Sequence, residues 1–126
     1  MKWTLMLGGL FGLGVASVHT FVGQPVVLDP MIAANYDEVA KYTMAALWHF
    51  TTMQLWLSGA VLLASGIWAK RIGNALPRYI GVECLAWTTA FLLEVATSGL
   101  ENAAWVLPQW AMILPVAALA IVGSRK

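Results

Sequence analysis

Four side chains in this sequence carry the chemistry to hold a metal ion: His19, His49, Glu94 and Glu101. Imidazole combined with carboxylate suits zinc, copper, iron or manganese, according to the geometry offered. The stretch KYTMAALWHFTTMQLWLSGAVLLASGIW, residues 41–68, sharpens the point, since it is almost wholly apolar yet carries His49. An ionisable group in such a run is costly in hydrocarbon and marks a bundle interior or a functional pathway. His19 and His49 on adjacent helices also supply the ligand types for a haem. The competing reading is structural: neutral His and Glu hydrogen-bonded across helices to the many threonines. No ligand pair stands at i, i+3 or i, i+4 spacing, and the Glu-x-x-His motif of di-iron bundles is absent.

The elements that must position these residues follow from composition. The chain has 126 residues, 60% hydrophobic and 10% charged, where a soluble domain carries about 25% charged residues. Seven Trp and eleven Gly fit a membrane chain, because both are enriched there. A net charge of +1 gives no basis for a nucleic-acid partner. Cys84 is the single cysteine, which excludes an intramolecular disulfide, a CxxC redox pair and a thiolate cage.

Apolar runs of roughly 20 residues, enough to cross the hydrocarbon core, lie at about residues 3–22, 42–69, 79–99 and 103–122. The expected fold is all-α: one domain over residues 1–126, a bundle of four transmembrane helices. Lys2 before an apolar run also fits a signal peptide, but residues 3–22 are read as a true first helix. Lys2, Lys70, Arg71, Arg78, Arg125 and Lys126 fall on one side of the alternating spans, without an acidic residue. Asp29, Asp37, Glu38 and Glu101 fall on the other, with Lys41 as the only base. The positive-inside rule then places both termini in the cytoplasm, in a bacterial inner membrane. In the long outer connection, residues 23–41, Asp29 followed by Pro30 predicts an N-cap and first helical position opening a short surface helix.

These spans bring the metal-ligating types to one depth. His19 lies one turn from the outer end of its helix, and His49 about 10 Å below Tyr42 at 1.5 Å per residue. Glu94 falls roughly 8 Å short of Gly99 by the same measure. Gly8, Gly12, Ala16, His19 and Gly23 form one stripe of the first helix, and small residues there allow close packing. Ala45, His49, Thr52 and Trp56 share a stripe of the second. Glu83, Trp87, Ala90, Glu94, Thr97 and Glu101 share one of the third. The histidine rings are therefore expected in one polar pocket, roughly 4 to 8 Å apart if one ion or water bridges them. Glu83, nearer the inner surface, is expected to pair with Arg78 or the basic turn. Pro108 and Pro115 read as kinks.

No Ser-His-Asp or Cys-His arrangement, phosphate loop or soluble substrate domain is present, so an enzyme is not expected. The pairing of VHTFVGQP with LWHFTT resembles small four-helix bacterial membrane proteins of unassigned function. That resemblance implies a fold and no activity. The signature residues of fluoride channels and small multidrug transporters have no place here. The leading expectation is a membrane protein binding zinc, copper, iron or haem through His19, His49, Glu94 and Glu101, for transport, delivery or electron transfer. The alternative is an accessory or assembly subunit, surrounded by the lipid bilayer, against a membrane-protein partner or a second copy of itself.

Overall fold

A computed structural model describes residues 1–125, leaving Lys126, one of the charges counted above, outside the described residues. The chain is helical throughout, with no strand among the described residues. Four long helices make the body: α1, Trp3–Ala33; α2, Glu38–Ile67; α3, Ala75–Thr97; and α4, Gln109–Gly123. The first three are long and apolar enough to cross a membrane, and α4 is shorter at 15 residues. At 1.5 Å per residue α1 and α2 each reach about 45 Å, beyond the roughly 30 Å of a hydrocarbon core.

The expected surface helix at Asp29 is not a separate element. α1 runs as α-helix to Val18, as π-helix over His19–Leu28, and as α-helix again over Asp29–Ala33. Leu28 keeps helical angles (φ −69, ψ −48), so no cap forms and Asp29 continues the rod. Pro25 explains the change of winding. Its ring clashes with the carbonyl four residues back in an α-helix and its nitrogen carries no donor; the wider π turn accommodates the ring. Ser17 and Thr20 hydroxyls donate to the Leu13 and Ala16 carbonyls at 2.9 and 2.7 Å as the winding changes.

The other boundaries have local causes. Asp37 caps α2, its carboxylate accepting from the Ala40 amide at 2.8 Å. Trp68 ends α2, and a single helical turn, Ala69–Ile72, leads to Gly73 at φ 74, where only glycine turns without strain. The fourth apolar run divides into Ala103–Val106 and α4, broken at Leu107 and Pro108. Pro108 therefore ends a helix, whereas Pro115 sits inside α4.

α1 is the central helix. It packs along α2 on one side and α4 on the other, α3 packs on α4, and α2 and α3 barely touch. The α1–α2 seam is made of glycine. A Cβ on Gly9 would collide with the Leu63 backbone, one on Gly59 would stand 2.8 Å from the Leu13 nitrogen, and one on Gly66 2.7 Å from the Met6 nitrogen. Gly81 lies on Ile121 and Gly123 on Leu5 in the same manner, joining α3 to α4 and α4 to α1. Leu5, Leu62, Val116, Ala117 and Ala120 fill the core.

Lys2 fastens one end. Its amide donates to the Gly66 carbonyl at 2.8 Å. Its ammonium donates to Asn74 Oδ1 at 2.8 Å and to the Gly123 and Arg125 carbonyls at 3.0 Å. A cation at the carbonyl end of α4 is favourably placed against its dipole. The N-terminus, the turn before α3 and the C-terminal end of α4 are thereby gathered together.

Gly59→Ala should destabilise the protein by about 1–3 kcal/mol, the usual cost of forcing volume into a tight contact. Gly14→Ala meets nothing within 4 Å and should be neutral, or gain up to about 1 kcal/mol of helix propensity. Unfolding of both variants in one detergent checks the pair; equal effects would show that the seam does not depend on Gly59.

Candidate functional site

The expected His/Glu cluster does not form. His19 is half-buried, and its ring lies flat on Trp48 of α2, with centroids 4.1 Å apart and planes 20° apart. Gly23 leaves room for the same indole, whose edge would stand 3.1 Å from a Cβ there. About two turns further along α2, Trp56 Nε1 donates to Thr20 Oγ1 at 3.1 Å. The α2 face that meets His19 is thus Trp48's. His49, one residue on and about 100° round the helix, is exposed in an open groove with Leu28, Asp29 and Ile32. Glu94 and Glu101 are exposed as well. Among the described residues no group of three or more His, Cys, Asp or Glu is placed to hold a metal ion. The expectation of zinc, copper, iron or haem on His19, His49, Glu94 and Glu101, serving transport, delivery or electron transfer, is overturned by that geometry.

The physical reason is where the neighbours stop. Convergence of these side chains at one depth requires all four helices to stay packed along their whole length. Beyond Val18, α1 packs against α2, and the residues of α3 from Leu92 to Thr97 are mostly exposed. Stripes that converge by periodicity diverge in space because no packed neighbour holds them together.

A different polar centre lies deeper. Gln54 of α2 and Glu83 of α3 meet across the gap between those helices, Nε2 donating to Oε1 at 2.7 Å. Glu83 lies about 12 Å along α3 from Ala75, at 1.5 Å per residue. Its expected partner, Arg78, is five residues earlier and therefore about 140° round the helix. The Arg78 guanidinium instead reaches the Ser124 carbonyl at 3.4 Å. The other carboxyl oxygen of Glu83, Oε2, is buried without a hydrogen-bond partner.

Beside it is a partly open cavity to which all four long helices contribute, among them Gly12 and Val15, Gln54 and Ser58, Cys84 and Trp87, Ile113 and Val116. It holds about 20 Å³, room for a group the size of one water molecule. Its polar members are Gln54, Ser58, Glu83 and Cys84; the rest of the lining is apolar or glycine. A buried oxygen without a donor costs about 1–3 kcal/mol, so the site carries an unmet demand for one.

The periodicity that brought Glu94 forward also contains Glu83 and Trp87, and on that lower half it holds. Gln54 was missed because a lone carboxamide among threonines and tryptophans carries no metal-ligand signal. Its spacing of four from Ser58, beside Gly59, was the available hint. No family model, curated protein or solved structure matches the chain, so the chemistry of this site rests on its geometry.

Gln54→Leu should cost about 1–3 kcal/mol, since it leaves both Glu83 oxygens without a donor. The double variant Gln54→Leu, Glu83→Leu should recover most of that loss, because it removes the stranded group too. A double-mutant cycle of unfolding free energies measures the coupling; additivity would show that the pair does not interact.

Proposed function

We propose that this chain is an integral membrane protein of four spans, with both termini on the cytoplasmic side of a bacterial inner membrane. Its site holds the polar end of an apolar molecule that arrives from the bilayer between α2 and α3. The buried, unpartnered Glu83 Oε2 beside a cavity carries this reading. An intramembrane ionisable group is by default a functional one, and this one has a buried oxygen without a partner.

Three apolar helices of spanning length support the membrane placement. So do large apolar side chains on their outer surfaces, such as Phe21, Tyr42, Phe50 and Leu93. Residues 103–123, taken together across the break at Pro108, supply the fourth crossing. The bonds of Lys2 support the shared side of the termini, and the exposed Lys70, Arg71 and Arg125 at that end support its being cytoplasmic. The sparse contact between α2 and α3 supports entry from lipid. Recognition is divided accordingly: Gln54 fixes one carboxyl oxygen, the other is offered to the ligand, and Gly12 and Gly59 leave the space.

Two measurements test this. A reporter fused behind the C-terminus should be active only as a cytoplasmic marker, and periplasmic activity would reverse the orientation. Protein purified with its surrounding lipid and extracted with organic solvent should yield a molecule enriched over bulk lipid. The double variant Gln54→Leu, Glu83→Leu should lose it. Identical extracts from both proteins would sink the binding role.

A further inference from the structure

The ligand class can be read from what the site lacks. This step rests on the binding role just proposed and narrows it. Glu83 Oε2 is buried without a hydrogen-bond donor, and none of the described residues supplies one. The described basic residues are at the ends of the bundle. The Lys2 ammonium is bound to Asn74 and two carbonyls, and Arg78 to the Ser124 carbonyl. Lys41 lies over the Tyr36 ring at 5.5 Å, at the start of α2. Among the described residues no cation hydrogen-bonds to this carboxyl.

We infer that the occupant is a primary alkylammonium: an –NH3+ head on Glu83, with a hydrocarbon tail lying between α2 and α3. Three features meet that chemistry. The cavity admits a group the size of water, which fits –NH3+ and excludes a bulkier head. Trp87, one turn beyond Glu83 on α3, lines the same cavity, and an indole face attracts a cation. Val15, Leu55, Ile113 and Val116 make the remaining wall apolar, so the tail leaves along a surface like itself. An alcohol could donate to the oxygen but would bring no cation to the Trp87 ring. A trimethylammonium head would bring charge without a donor and would exceed the space.

The protein in lipid nanodiscs is unfolded by heat in the presence of dodecylammonium, dodecanol or dodecyltrimethylammonium. At ten times its dissociation constant a ligand that binds only the folded state lowers the unfolding equilibrium constant about elevenfold. Dodecylammonium should raise the unfolding midpoint of the wild type and not that of Glu83→Gln, and the other two probes should have little effect. An equal rise with dodecanol would overturn the ammonium assignment and leave the binding role standing, as would a rise with dodecylammonium that persists in Glu83→Gln. If no probe shifts unfolding, the binding role falls together with the assignment.

Discussion

The architecture depends on one contact: the backbone of α1 lying directly on the backbone of α2. Without side chains at Gly9, Gly59 and Gly66 the helices approach until main chain meets main chain. Close van der Waals contact of this kind is the attraction by which apolar helices of spanning length associate. That contact makes α1 the spine. It also fixes where α2 can be, and therefore where the remaining helices cannot reach.

The site follows from that placement. With α2 held to α1 on one flank and α4 on the other, α3 attaches through α4 and meets α2 at a distance. Gln54 and Glu83 are long enough to bridge the gap, and their hydrogen bond joins two helices that otherwise scarcely touch. Gly12 and Gly59 leave space below the bridge where larger residues would have closed it. The same absence of bulk that brings α1 onto α2 thus opens the cavity beside the carboxyl. At one end of the bundle, the lysine at position 2 collects carbonyls from helix ends and ties the N-terminus to the end of α4.

Much of the fold was legible in the sequence because its signals are local. Low charge and apolar runs gave the long helices, and the distribution of lysine and arginine grouped the ends that Lys2 joins. The small-residue stripe on the first helix marked a true contact surface, as Gly12 and Ala16 show by their burial. Local reasoning failed at Asp29 and Pro30, which look like a helix start in isolation. The rod arriving from Val18 was already wound, and a π turn absorbed Pro25 at less cost than a break and a new cap. It failed again at Glu94 and Glu101, whose stripe is real but whose outer half has no helix to face.

What the sequence determined by itself is therefore the long helices and their apolar character, since each depends on composition or on residues a few positions apart. Which polar residues meet was decided only by tertiary structure. His19 met Trp48 rather than His49, and Glu83 met Gln54 rather than Arg78, because a rotation of about 100° per residue turns small differences in helix position into different partners. Periodicity places a residue on a stripe, but the neighbour across from that stripe is chosen by the close approach of glycines elsewhere in the chain.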